Sequence, residues 1–125
     1  MQNASIYTLD AINEAIQAQM MYKGYRFDHT KGVTCCICGG TIPLVVTPDG
    51  CETTIGQNNP RPIAGDSESV CCATCNNHYV IPARLGQHYA DAGMLLALAN
   101  RMRMDGCAED SVRRVVDLAD EAIIA

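Results

Sequence analysis

The stretch "CCICGG", residues 35–40, places three cysteines within four positions and follows them with two glycines. A second stretch, "CCATCNNH" at residues 71–78, repeats this crowding later in the chain. Crowded cysteines serve as disulfide partners, as a redox pair, as catalytic nucleophiles or as metal ligands. The fold of the chain depends on which of these roles applies.

Pairing Cys35 with Cys38 and Cys72 with Cys75 gives the pattern C-x2-C, 33 residues, C-x2-C. Two thiolates three positions apart bind one ion when the backbone forms a tight knuckle, and Gly39 eases the positive φ of such a turn. Two knuckles brought together place four sulfurs at tetrahedral corners. We therefore predict one structural Zn²⁺ ion with these four cysteines as its ligands.

The other three roles are less favoured. The first ten residues lack a secretory signal, and the longest apolar run, residues 94–99, is too short to span a bilayer. We therefore expect a cytoplasmic protein, and a reducing compartment disfavours disulfides. Neither cysteine pair lies in the βαβ context of a thioredoxin-like redox motif. Catalytic cysteine chemistry would need a nearby histidine base; the three histidines do not exclude it, but nothing selects it.

The remaining cysteines have unsuitable spacing for a standard knuckle. Cys36 and Cys71 are interpreted as small buried hydrophobes or as thiols beside the ligands, and Cys51 and Cys107 as unliganded. His78, three residues after Cys75, is an alternative ligand that could replace a thiolate or bind a second ion.

The rest of the chain is expected to form a single α+β domain, residues 1–125, around a zinc-ribbon or treble-clef core at about 33–86. Apolar residues at intervals of three or four predict a helix over 6–22, which includes Ile12, Ile16 and Met20. Residues 22–33 are interpreted as a polar and aromatic connector. The same periodicity predicts C-terminal helices at about 82–105 and 110–124. The core would thus be flanked by three or four α-helices.

Between the cysteine pairs, residues 41–56 read as a β-hairpin around the turn Pro48, Asp49 and Gly50. Pro43 restricts its first strand to a sheet edge or a bulge, because proline cannot donate a hydrogen bond to a neighbouring strand.

The succession "CCICGG", "GQNNPRPI" and "CCATCNNHYVIPARL" resembles a group of short, uncharacterised zinc-knuckle proteins of bacteriophages and prophages. The resemblance covers about residues 33–86. It implies a phage origin, the host bacterial cytoplasm as location, and a metal bound by the same four cysteines, and it supplies no activity. It also suggests structural roles for a set of conspicuous residues: Asn58, Asn59, Pro60, Asn76, Pro82 and Arg84.

The arrangement is more distantly similar to the treble-clef zinc cores of HNH endonucleases. Those enzymes need a histidine on the hairpin to activate water, and residues 39–71 contain none. A degenerate HNH-type nuclease is therefore the least favoured of three functional hypotheses.

A closed four-thiolate site has no position for substrate, and the sequence shows no phosphate-binding loop or catalytic triad. We therefore expect a non-catalytic binding protein that acts on a host or phage protein, for example by inhibiting a bacterial defence or host complex. The formal charge of -5 argues against a phosphate-tracking surface. A nucleic-acid-binding zinc-finger regulator is the alternative, and homodimerisation through the terminal helices is a further expectation. The candidate nucleic-acid contacts are Arg84, Arg101, Arg103, Arg113 and Arg114.

Overall fold

The computed structural model describes residues 4–54, 56–66 and 68–124 of the chain, with side chains described from residue 10 onward. The first half contains α1 (Ala4–Tyr22), β1 (Arg26–Thr34), β2 (Thr41–Val46) and β3 (Glu52–Thr53). The second half contains α2 (Ala73–Cys75), a π-helical segment (Asn76–Val80), α3 (Ile81–His88), α4 (Ala92–Met104) and α5 (Glu109–Ile124). The α+β class predicted from the sequence is confirmed. Within the described ranges, no helix is long and apolar enough to cross a membrane.

The three strands form one antiparallel sheet in the order β1-β2-β3. The predicted hairpin is present: β2 and β3 pair with Val46 opposite Glu52, and the chain reverses between them. The turn is closed by the amide of Gly50, which donates to the carbonyl of Thr47 at 2.9 Å. This hairpin lies in the segment that separates the two cysteine pairs.

The interpretation of residues 22–33 as a connector is wrong, because most of this segment belongs to β1. The sequence pattern of this strand was weak because β1 is an edge strand and none of its residues is fully buried. Pro43 lies in the central strand, but its position faces an irregularity where the pairing of β1 shifts between Asp28 and Val33. A proline at a bulge removes no hydrogen bond from a regular ladder, so β2 tolerates it.

The single helix predicted at about 82–105 is also wrong, because the structure divides it into α3 and α4. Ala90 adopts a positive φ of 49°, which ends the helical path. Asp91 then begins α4 as its N-cap, and its Oδ1 accepts a hydrogen bond from the amide of Met94 at 3.0 Å. A capping aspartate supplies an acceptor for the first free amides of the new helix, so the break is stable.

The core lies where α4 and α5 pack on the loops that carry the cysteines. α4 and α5 meet through fully buried side chains that include Leu95, Met102, Val112 and Val115. Ile37, within the first cysteine stretch, is buried in the same cluster. The loop after α4 also binds this stretch, since the amide of Ala108 donates to the carbonyl of Ile37 at 2.8 Å. The two C-terminal helices therefore support the first knuckle directly.

The described part of helix α1 is attached by polar contacts, whereas α4 and α5 are attached by buried apolar side chains. From Asp10 to Tyr22, none of its side chains is buried, and Ile12 and Ile16 of the predicted apolar stripe are 49% and 52% exposed. The helix is anchored instead by Asp10, whose two carboxylate oxygens contact Asn77 and His78 of the π-helical segment. Between Asp10 and Tyr22, most of the apolar residues of α1 are therefore exposed.

Candidate metal centre

The first cysteine pair lies in the tight loop between β1 and β2. The amide of Cys35 donates to the carbonyl of Gly40 at 2.8 Å, which closes the loop, and Gly39 adopts the predicted positive φ of 78°. Two amides point at the sulfurs: that of Ile37 lies 3.5 Å from Cys35 Sγ, and that of Gly40 lies 3.4 Å from Cys38 Sγ. N–H groups aimed at sulfur stabilise a thiolate, so the loop has the form of a metal-binding knuckle.

The second pair lies at the start of the helical half. Cys72 is the N-cap of α2, and its Sγ accepts a hydrogen bond from the amide of Cys75 at 3.4 Å. The amide of Cys72 in turn donates to Cys35 Sγ at 3.3 Å, across 37 positions of sequence. A helix N-terminus favours negative charge, so this location suits thiolate ligands.

Together the two pairs form the cysteine cluster, defined here as Cys35, Cys38, Cys72 and Cys75. All four Sγ atoms lie within 4.8 Å of one another, and Cys38 Sγ is 4.0 Å from Cys72 Sγ. Four sulfurs about 2.3 Å from one zinc ion stand about 3.8 Å apart at tetrahedral corners. The spacing in the cluster therefore fits a single tetrahedral ion of zinc size. The structure brings together the four cysteines that the sequence spacing selected.

Comparison with known protein families, curated proteins and solved structures finds no match for this chain. The chemistry of the site is therefore deduced from its donor set. Four sulfur donors suit a soft or borderline ion, and they fill a tetrahedral shell without leaving a position for water or substrate. An ion held in this way links the β1–β2 loop to the start of the helical half.

Without a metal ion, three thiols of the cysteine cluster differ widely in pKa. Hydrogen bonds from the Cys72 and Cys75 thiols lower the pKa of Cys35 far below its ordinary value. The same interaction raises the pKa of Cys72 to about 11, and it raises the pKa of Cys75 as well. One thiolate is thus stabilised by two neighbouring thiols. A divalent cation would replace those shared protons.

The other cysteines near the cluster do not belong to it. Burial raises the pKa of Cys71 to about 12, and burial together with the charge of Cys35 raises the pKa of Cys36 to about 11. Burial also raises the pKa of Cys107. Geometry separates them from the cluster, because none of the three belongs to the group of four whose Sγ atoms converge within 4.8 Å. Cys51 is exposed near the β2–β3 turn.

His78, the alternative ligand predicted from the sequence, is directed to Asp10. Its Nε2 hydrogen-bonds to Asp10 Oδ2 at 2.5 Å, while the buried Asn77 amide donates to Oδ1 at 3.0 Å. Burial alone would raise the pKa of Asp10, but these hydrogen bonds hold it below its ordinary value. This three-residue contact has no local sequence signal, because Asp10 lies 67 positions before Asn77.

Three of the five candidate arginines bind backbone carbonyls inside the protein. Arg84 donates from Nε to the carbonyl of Arg61 at 2.8 Å and from Nη2 to that of Asn59 at 2.9 Å. Arg114 donates to the carbonyl of Pro62 at 3.1 Å. These two side chains hold the loop that precedes the second cysteine pair.

The third such arginine, Arg101, donates to the carbonyl of His78, and its guanidinium lies 5.5 Å from the ring centroid of Tyr79. Arg103 and Arg113 are exposed on α4 and α5. Three of the five arginines therefore make structural contacts, and two are exposed at the surface. The five do not form a continuous basic face.

A cleft of about 320 Å³ separates α1 from the sheet. Its walls include Ile16 and Met20 of α1, Phe27 of β1 and Val45 of β2. Cys72 lines the same cleft from the start of α2. The cleft therefore borders one cysteine of the cluster.

Proposed function

We propose that the cysteine cluster binds one Zn²⁺ ion whose role is structural. The observation that carries the proposal is the convergence of four Sγ atoms within 4.8 Å, each pair contributed by a different half of the fold. Four amide N–H groups directed at the sulfurs support it, because they favour thiolates at the positions where ligands are needed. Binding of the ion would contribute folding free energy of about 10 kcal/mol or more.

The architecture we propose for this core is a treble clef. A knuckle carries the first cysteine pair, a β-hairpin follows, and a helix N-terminus carries the second pair. The additional strand β1 and the C-terminal helices pack around that unit. This arrangement resembles the zinc cores of HNH endonucleases, but the segment between the cysteine pairs has no histidine.

The function we propose is that of a non-catalytic module that binds another protein. A saturated tetrahedral site cannot activate water or substrate, so the ion would act through the fold. The exposed apolar side chains of α1, which include Ile12, Ile16 and Met21, offer a surface for a protein partner. A phage origin and a host or phage protein as target rest on the resemblance of the cysteine stretches alone.

Nucleic-acid binding is the second candidate. It would depend on Arg103 and Arg113, the two exposed members of the arginine set. The remaining three arginines already donate to carbonyls, and the formal charge is -5. Sequence-independent affinity for phosphate needs clustered cations, so a protein partner is favoured.

Metal analysis of the purified chain tests the zinc proposal. We expect one zinc per chain and eight free thiols after denaturation in chelator, because all eight cysteines are reduced. A folded preparation with disulfides and no metal would overturn the proposal. The variant Cys51→Ser is the matched control, since Cys51 lies outside the cluster and should leave the zinc content unchanged.

Affinity capture from bacterial lysate tests the binding proposal. The double variant Ile12→Glu/Ile16→Glu should lose a partner that the wild-type chain retains, while Ala18→Glu adds charge to an exposed position of the same helix as a control. Light scattering of the same variants tests homodimerisation. Salt-dependent retention on DNA or RNA that is lost in Arg103→Gln/Arg113→Gln would instead support the nucleic-acid candidate.

A further inference from the structure

The four cysteines of the cluster differ in their access to solvent. Cys35 and Cys75 are 1% and 2% exposed and lie within the hydrophobic core. Cys38 is exposed, and an alanine Cβ placed at the following Gly39 would have no atom within 4 Å. Cys72 is half-buried and lines the cleft under α1. One member of each C-x2-C pair is therefore accessible, and one is enclosed.

The two more exposed cysteines of the cluster are also neighbours. Cys38 Sγ lies 4.0 Å from Cys72 Sγ, and the space around Gly39, the residue after Cys38, is open. Oxidation of cysteine follows thiolate character and exposure. A metal-bound cysteine is a thiolate, so in the loaded site exposure decides which sulfur reacts.

We propose that Cys38 and Cys72 form an oxidation site through which a hydroperoxide converts the metal-loaded cluster to a disulfide. This inference rests on the proposed zinc site. It assigns different roles to ligands that the sequence pattern treats as equivalent. Cys38 and Cys72 react, and the buried Cys35 and Cys75 remain reduced in the core.

The reaction proceeds in two steps. The Cys38 thiolate attacks one oxygen of the hydroperoxide, the O–O bond breaks, and a sulfenic acid and one alkoxide or hydroxide form. The Cys72 thiolate then attacks the sulfenic sulfur and displaces hydroxide, which forms the S–S bond. The two sulfurs lose two electrons in total, and the peroxide gains them.

The product keeps the two halves of the fold linked. The disulfide joins residues 38 and 72, so it spans the same two segments that the ion spans. It also removes two of the four donors, and two remaining thiolates cannot complete a tetrahedral shell. The oxidised chain should therefore release zinc while the β1–β2 loop and the start of the helical half stay attached.

The test uses the full zinc-loaded chain with Cys51→Ser, which removes the exposed thiol outside the cluster. One equivalent of hydrogen peroxide is added, released zinc is followed with a colorimetric chelator, and free thiols are alkylated before digestion. We expect zinc release together with a Cys38–Cys72 disulfide, assigned by fragmentation of the linked peptides. Dithiothreitol with added zinc should restore the loaded form.

The variant Cys38→His tests the proposal on a site that can still bind zinc. Imidazole can replace one thiolate as a zinc ligand but cannot form the disulfide, so peroxide should no longer release zinc at that dose. Cys36→Ser and Cys71→Ser should leave the release unchanged.

Two results would overturn the inference: mapping that assigns the disulfide to other cysteines, or full retention of zinc by the Cys51→Ser chain. Absence of zinc from the purified chain is a different result, and it would overturn the proposed metal site itself.

Discussion

The carboxylate of Asp10 accepts a 3.0 Å hydrogen bond from the side-chain amide of Asn77, which lies 67 positions later in the chain. Asn77 is only 6% exposed and follows the second cysteine pair by two residues. His78 completes the contact on the other carboxylate oxygen. This contact joins α1 to the segment that carries Cys72 and Cys75, so the helix is connected to the candidate metal centre through polar atoms.

The variant Asp10→Ala should lower the free energy of unfolding by about 1.5–3 kcal/mol, because it removes an ionised acceptor and leaves the Asn77 amide without that partner. Urea denaturation followed by circular dichroism measures the change. Glu14→Ala, at an exposed position of the same helix, is the control and should shift the free energy by less than about 0.5 kcal/mol. Equal effects of the two variants would contradict the anchoring role of Asp10.

Local sequence signals predicted much of this architecture. The C-x2-C spacing and the Pro48, Asp49 and Gly50 turn each act over a few residues, and both features are present in the structure. The break between α3 and α4 also had a local signal, since Asp91 is a good N-cap, but the apolar periodicity that continues through it obscured the cap.

Long-range contacts account for what could not be predicted. β1 is a polar edge strand whose pairing with β2 depends on the hairpin beside it. The role of Asp10 depends on a partner 67 positions away. The resemblance suggested a structural role for Arg84, but the carbonyls that it binds have no sequence signature. Exposure within the cysteine cluster is likewise a property of packing, so spacing alone treated Cys35 and Cys38 as equivalent.

Removal of the ion should unfold the region around the cysteines. Cys75→Ser should lose bound zinc and most of the helical signal, because this buried ligand links the helical half to the knuckle and a structural zinc contributes about 10 kcal/mol or more. Zinc content and thermal unfolding are measured on the same preparations. Cys51→Ser should match the wild type in both, and a zinc-free Cys75→Ser that melted like the wild type would contradict a structural role.

Zinc affinity should rise with pH. In the metal-free cluster the raised pKa values of Cys72 and Cys75 keep both groups protonated across the neutral range, and an incoming ion must displace both protons. The metal-free state therefore binds at least two more protons than the loaded state. Calorimetry in buffers of different ionisation enthalpy should show two or more protons released per zinc near pH 7. A release of less than one proton would contradict this electrostatic description.

Arg84 should stabilise the loop before the second cysteine pair. Arg84→Gln should lower the free energy of unfolding by about 1–2 kcal/mol, because two hydrogen bonds from a charged but exposed donor are lost. Arg84→Lys should not restore the wild-type value, since one ammonium cannot reproduce the guanidinium fork that reaches both carbonyls. Arg103→Gln, an exposed site on α4, is the charge-matched control, and an equal loss there would assign the effect to charge alone.

The junction of α3 and α4 depends on a glycine. An alanine Cβ at Gly86 would lie 2.7 Å from Cγ and Cδ2 of Leu95, which is fully buried and cannot move aside without disturbing the core. Gly86→Ala should therefore lower the free energy of unfolding by about 1–3 kcal/mol. Gly93→Ala in α4 is the matched control, because its Cβ would meet no atom closer than 3.6 Å and alanine favours the helix by up to about 1 kcal/mol. The free energies of unfolding of the two variants, measured by urea denaturation, should therefore change in opposite directions. A change in the same direction would show that α3 does not pack against Leu95 as closely as described.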